Sequence, residues 1–443
     1  MKIKGSKLLL SLLGLGVLLL AGCNGDSSDS PYSATPMQEG AAGALVHGID
    51  TLAPPQSSDQ GDANGRTLII AVRDQVKDEL RYDVDARKLN YPFTDPQGKA
   101  HRVSGLLVLP HEIEKGKVLR APILLYNHGT VLTRAEAPSH IVEHPLDFTD
   151  NAEAVIGVMY ARTGYIVAMA DYSGLGDDVA MHPYMHAASA VGTVLGMLEA
   201  TKACAAGKVS NCQNFPASIQ WDGRIFVMGY SQGGAVTLGT ARELQGRGVR
   251  IESVAAMASP CDLSGAMREK MLEPKPSKAP FFLPYVVLGF RDAYDRRPDG
   301  SFDPNGLFEP PRSFVGEYAT KVPPLFDGVT DARTVDSKLP KVPRDLLSTM
   351  LLADLETPSS RVIEALRSND TYAWIPNMPL LLLHHPDDDL VPWKNSDTAW
   401  QFMRSADGVR FSNLLTAIDL GSIHAGAAPE AFVRALLWLN ASK

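Results

Sequence analysis

The chain has 443 residues, 45% of them apolar and 21% charged, and its 50 acidic side chains outnumber 42 basic ones for a net charge of −8. That length suits one large buried core with an insertion. No basic patch is present, which excludes nucleic acid as a partner.

At the amino terminus Lys2, Lys4 and Lys7 precede an uncharged apolar run, 8–20, that ends in Leu20-Ala21-Gly22-Cys23. The run is too short for an ordinary membrane-spanning helix and has the flanks of an export signal. Its end resembles a bacterial lipobox. The resemblance implies a signal peptide over 1–22 and acylation of Cys23, with palmitate-type chains anchoring the protein to a membrane. Asn24, rather than Asp, follows the cysteine, a pattern that favours the outer membrane in a Gram-negative host. Removing 1–22 takes three lysines with it and leaves a charge of −11. Residues 23–65 are rich in Ser, Asp, Gly, Ala and Pro without a sustained apolar period, so a flexible tether is expected.

Early strands are expected at 68–72, 89–93 and 102–109, forming an antiparallel start to a sheet, with Asp95-Pro96-Gln97-Gly98 as a turn. Residues 121–126 form a continuous apolar run, the mark of a strand covered on both faces, and Asn127-His128-Gly129-Thr130 follow at once. His128 is read as a structural histidine bracing that loop. A helix is expected over 151–163 and a strand over 165–170, which ends in Asp171-Tyr172-Ser173-Gly174. Asp171 is read as a loop brace and Tyr172 as lining the site. A long helix is predicted over 185–206, with His182 and His186 as capping or packing groups. Cys204 and Cys212 sit eight apart in a polar loop, and oxidising conditions after export favour a disulfide between them, leaving Cys261 as a buried free thiol. Nothing near the cysteines has zinc-ligand spacing, so no metal and no cofactor are expected.

Residues 224–240, RIFVMGYSQGGAVTLGT, then read as strand, sharp turn and helix. Gly229-x-Ser231-x-Gly233 is the pattern in which two glycines let the chain make a strained turn and hold a serine hydroxyl at the carboxyl edge of a sheet. Ser231 is the candidate nucleophile. A further strand is expected at 251–258. The strand-helix rhythm breaks over 263–375, which is rich in proline and carries the aromatic patch Phe281-Phe282-Leu283-Pro284-Tyr285; helices are expected at 344–355 and 359–366. This segment reads as an inserted cap over the substrate entrance.

The sheet resumes at 378–383, ahead of His384-His385-Pro386-Asp387-Asp388-Asp389-Leu390-Val391-Pro392. At most one of three adjacent carboxylates can serve chemistry, and the others are expected to be solvated. A helix at 397–403 and a strand at 411–418 come next. His424 lies among small residues in 421–427, read as the last loop before an amphipathic helix, where an imidazole has room to reach a serine. It is the candidate base.

Together Asn127-His128-Gly129-Thr130, Asp171-Tyr172-x-Gly174, Gly229-Tyr230-Ser231-Gln232-Gly233-Gly234, Asp388-x-x-Val391-Pro392 and His424-Ala425-Gly426 resemble the α/β-hydrolase superfamily, in its secretory lipase and carboxylesterase branch. The resemblance covers residue 66 to the end. It implies a mostly parallel, doubly covered sheet, with core segments 66–262 and 376–443 and the cap at 263–375. It selects Asp388, three residues before the Val-Pro pair, as the acid and completes the chain order serine, acid, histidine. It gives the oxyanion amides to Thr130 and Gln232, and places Tyr230, Phe281 and Phe282 with Tyr172 against the substrate. The activity implied is ester hydrolysis through an acyl-serine, on a small-molecule or lipid ester. A serine peptidase or polyester depolymerase would use the same triad, and a non-catalytic surface protein on this scaffold is an alternative of another class.

Overall fold

In the computed structural model, residues 31–443 are described except 39, 55–59, 112–116, 146, 208–211, 213, 214 and 217. The leader and Cys23 lie outside the described residues. Nine strands form one sheet: β1 Ser33–Pro36, β2 Asp83–Thr94, β3 Ala100–His111, β4 Leu119–Asn127, β5 Ile166–Ala170, β6 Ile219–Tyr230, β7 Ser253–Met257, β8 Leu380–His384 and β9 Val409–Asn413. Their spatial order is β1-β2-β3-β5-β4-β6-β7-β8-β9. The first three pair antiparallel, as does β3 with β5, and everything from β5 to β9 is parallel.

The principal helices are α1 Ala41–Thr51, α2 Gln60–Val76, α3 Ala152–Arg162, α4 Ala187–Ala205, α5 Gln232–Gly246, α6 Phe282–Phe290, α7 Thr349–Glu356, α8 Arg361–Ser368, α9 Lys394–Met403 and α10 Ile423–Asn440. Successive side chains of a strand point to opposite faces. In β4, Ile123 and Leu125 accordingly join α4, α5 and α9 in one apolar cluster. Leu124 and Tyr126 join α1, α2, α3 and α10 in the other. Both faces of the sheet are buried, which is why 121–126 carries no polar residue.

Three expectations are corrected. The tether is not featureless: β1 adds to β2, and α1 and α2 pack on the sheet, burying Leu45, Ile49, Leu52, Ile69 and Val72. These residues recur every three or four positions, and the Ser, Asp, Gly and Pro between them hide the period. Each such burial contributes roughly 1.5–3 kcal/mol, enough to order a short helix. Arg73 also donates to the carbonyls of Ile49 and Leu52, and Arg162 pairs with Asp50 at 2.6 Å. The run 68–72, expected as a strand, lies inside α2; a five-residue apolar run looks alike in both structures. The last strand ends at Asn413 rather than 418, because the amides of Leu415 and Thr416 turn aside to the carboxylate of Glu430.

Between β7 and β8 the chain builds α6, α7, α8 and shorter turns around an apolar cluster of its own, which includes Phe290, Phe314, Leu346 and Val362. Leu132, Tyr184 and Met185 from core loops complete that cluster, so the insertion is seated on the carboxyl edge of the sheet. Cys204 and Cys212 are joined, their sulfurs 1.98 Å apart, at the end of α4, and Cys261 is a buried free thiol.

Candidate active site

Tyr230 ends β6 and Gln232 begins α5, so Ser231 alone makes the turn between them, at φ 56° and ψ −124°. A side-chain-bearing residue pays strain there, and the surroundings must hold it. They do so through close backbone contacts. A Cβ on Gly229 would stand 2.4 Å from the Gly233 carbonyl oxygen, and one on Gly233 would stand 1.9 Å from that of Asn127. Glycine is required at both positions because main chain passes where a side chain would begin. Ser231 N–H donates to Met257 O at 2.9 Å, tying the turn to β7.

His424 is not on a loop. It is the second residue of α10, whose first turn is capped by Ser422 accepting from Ala425 N–H at 3.0 Å. A serine cap allows the helix to begin earlier than the small-residue composition suggested. From there His424 Nε2 reaches Ser231 Oγ at 2.8 Å, and Nδ1 reaches Asp388 Oδ2 at 2.6 Å. With Nδ1–H donating to the carboxylate, Nε2 is left to accept the serine proton. Burial by itself raises the Asp388 pKa, but the charge and hydrogen bonds of His424 and His384 outweigh it and hold the carboxyl well below the usual range. Its Oδ1 accepts from the amides of Leu390 and Val391 at 3.0 and 2.8 Å.

His384, which the sequence reading passed over, is fully buried with Nε2 3.3 Å from Asp388 Oδ2 and 2.9 Å from Val391 O. Its Nδ1 lies 2.7 Å from Ser396 Oγ. The legible signal was its place as the last residue of β8, directly before the acidic turn. Asp389 is not a solvated bystander either: one oxygen accepts from His424 N–H at 3.2 Å and the other lies 3.1 Å from Lys278 Nζ in the insertion.

Residues Asn127 and Gly229 are register partners in β4 and β6, so the loops that leave those strands run side by side. One carries Thr130 and the other Ser231 and Gln232. The Gln232 N–H heads a helix and has no carbonyl four residues back to bond with. Thr130 Oγ1 lies 2.8 Å from Tyr184 OH. Glu153, also missed, supports this loop: it accepts from Gly129 N–H at 2.8 Å and Tyr126 OH at 3.0 Å. Burial pushes its pKa up to about 7 against those hydrogen bonds.

His128 stacks on Tyr172 at 4.2 Å, and burial lowers its pKa to about 4. With Nδ1 2.8 Å from Gly129 O it is a neutral brace. His182 is also buried and neutral, lowered to about 4; its Nδ1 lies 2.7 Å from Ser173 O, and Nε2 meets the Gln232 side-chain amide at 3.0 Å. His186 caps α4. Asp171 braces its loop by accepting from Ser104 Oγ, Ser139 N and Ser139 Oγ at 2.6, 2.9 and 2.5 Å.

A groove is lined by Ser231 and His424 together with Met185, Leu263, Met271, Phe282 and Val286, and by Lys270 and Glu273. Of the residues expected against substrate, Phe282 lines it. Tyr172, Tyr230 and Phe281 do not: the first is packed under the loop with OH donating to His128 O, the second donates to His424 O at 2.5 Å, and the third is buried against Phe282.

Solved structures share this architecture. A protein of Legionella pneumophila assigned as a hydrolase matches with TM-score 0.70 and 24% identity, over 85% of this chain and 95% of its own. The rice cell wall degrading esterase LipA from Xanthomonas oryzae matches with TM-score 0.68 and 20% identity, over 84% and 95%. Candida antarctica lipase A in its closed state matches with TM-score 0.53 and 18% identity, over 83% and 78%. The chain has the α/β-hydrolase fold. No family model and no curated protein matches the sequence. In this fold the strand-to-helix turn after a central parallel strand, the acid turn after a later strand and the histidine near the carboxyl end meet at one sheet edge, which is the arrangement at Ser231, Asp388 and His424.

Proposed function

We propose that the protein is a serine hydrolase that cleaves carboxylic esters, of the lipase and carboxylesterase kind. The observation that carries this reading is the unbroken chain from Asp388 Oδ2 through His424 to Ser231 Oγ, with separations of 2.6 and 2.8 Å. His424 Nε2 takes the Ser231 proton as Oγ bonds to the ester carbonyl carbon. The amides of Thr130 and Gln232 hold the resulting oxyanion. Collapse breaks the bond to the alcohol, which leaves with the proton from His424. A water then gives its proton to His424 and attacks the acyl-serine, and the acid departs as Ser231 is reprotonated. Asp388 stays ionised throughout and stabilises the imidazolium.

The apolar groove running from Ser231 favours an acyl chain over a peptide, and the esterase and lipase neighbours agree with that preference. The insertion acts as the cap over this groove. Acylation of Cys23 would hold the enzyme at a membrane, the outer one in a Gram-negative host. Turnover of p-nitrophenyl esters by Ser231→Ala, with circular dichroism to check the fold, tests the proposal: loss of turnover in a folded variant is expected, and retained turnover would remove it.

A further inference from the structure

Away from the groove, residues 138–144 form a tight turn that begins at Pro138 and is held by Ser139 bonding to Asp171. His144 N–H donates to His140 O at 3.0 Å, so the two histidines are one helical turn apart and project from the same side. Their rings stack with centroids 4.2 Å apart and planes 19° apart. Glu143 lies beside them. One ligand atom from each of the three side chains lies within 4.8 Å of the other two.

The carboxylate is already oriented. Lys88 is 7% exposed, and its ammonium lies 3.1 Å from Glu143 Oε1 and 2.5 Å from Asp177 Oδ1. It therefore holds Glu143 from the β2 side through one oxygen and leaves the second for another partner. Outer hydrogen bonds of this kind fix ligand geometry in metal sites.

We propose that His140, Glu143 and His144 bind a divalent cation of the zinc class through two imidazole nitrogens and one carboxylate oxygen, with water in the remaining position. Two imidazoles and a carboxylate suit zinc, nickel or copper rather than calcium or magnesium, which prefer all-oxygen shells. With metal-ligand distances of about 2.0–2.2 Å, ligand atoms on one tetrahedral ion stand about 3.4 Å apart. Glu143 and His144 are exposed and His140 is half-buried, so small side-chain rotations close the present spacing. The ion would clip the turn that carries Ser139, and with it the loop braced by Asp171. The expectation of no metal came from the cysteines, whereas this triplet uses none.

The test uses untagged full-length protein stripped with EDTA and titrated with zinc chloride by calorimetry, beside His140→Ala/His144→Ala and Glu143→Gln. One zinc per chain is expected for the wild type, with affinity about tenfold or more weaker in the double variant. Zinc-free ester turnover should be the same in both. Zinc uptake that is absent in the wild type, or equal in the double variant, would overturn the site. Should the double variant misfold, X-ray absorption at the zinc edge of the loaded wild type decides: two imidazole ligands are expected, and a shell without histidine contradicts the proposal.

Discussion

Asp389 accepts the backbone N–H of His424 at 3.2 Å, so the residue next to the proposed acid fixes the start of the helix that carries the proposed base. That N–H is among the first in α10 and has no partner within the helix. The same carboxylate meets Lys278 of the insertion between β7 and β8. Asp389→Ala should cost about 1 kcal/mol, as loss of a helix cap does, and should lower kcat about tenfold through a displaced imidazole. Lys278→Ala, at an exposed ammonium, should change stability by less than about 1 kcal/mol. Denaturant melts with ester kinetics measure both, and an unchanged kcat for Asp389→Ala would show that the helix start needs no such anchor.

The turn at Ser231 depends on glycine at 233, where any Cβ meets the carbonyl oxygens of Asn127 and His128 at 1.9 and 2.8 Å. Main chain cannot yield as a flexible side chain does. Gly233→Ala should therefore cost about 3 kcal/mol or more and abolish turnover. Gly246→Ala is the control, because nothing lies within 4 Å of its added Cβ. It should be neutral or stabilise by about 0.5–1 kcal/mol. Urea midpoints that fall equally in both variants would contradict this account of the elbow.

Glu153 predicts a pH dependence with a definite sign. Its pKa of about 7 in the folded protein exceeds the ordinary 4.5, because burial outweighs the Gly129 and Tyr126 hydrogen bonds. The unfolded chain gives up this proton first. The group's contribution to stability therefore falls as pH rises from about 4.5 and levels off above about 7, by up to about 3 kcal/mol. Glu153→Gln should flatten that part of the stability profile, and an identical slope in wild type and variant would assign the effect elsewhere.

Chain-length preference should follow the groove. Met271→Trp fills space along the wall, so kcat/KM should fall by about fourfold for each methylene that no longer finds apolar contact, while the shortest esters are unaffected. A p-nitrophenyl series from acetate to palmitate measures it. A uniform loss at all lengths would place the acyl chain outside this groove.

Much of the architecture was legible because local and tertiary signals agree. The apolar runs at 121–126 and 253–257 are covered on both faces, and Gly229-x-Ser231-x-Gly233 has its glycines where main chain passes close. What escaped notice depends on contacts distant in sequence. Leu45 and Ile49 are four apart, but so short a spacing among small and polar residues does not announce burial, which comes from the surface the sheet offers them. Tyr172 and Tyr230 lie next to motif residues, yet their hydroxyls donate to the carbonyls of His128 and His424, a direction that spacing cannot reveal. His384 reads as the start of the loop after 378–383, whereas it is the last residue of β8 and its imidazole lies 3.3 Å from the carboxylate of Asp388.

The central claim is that Ser231 forms a covalent bond during turnover. Treating the folded protein with a fluorophosphonate and mapping the adduct by mass spectrometry tests it most directly. One phosphonyl group per chain on Ser231 is expected, with labelling lost in His424→Ala and in heat-denatured protein. An unlabelled Ser231, or a modification spread over other hydroxyls at the same rate, would contradict the account.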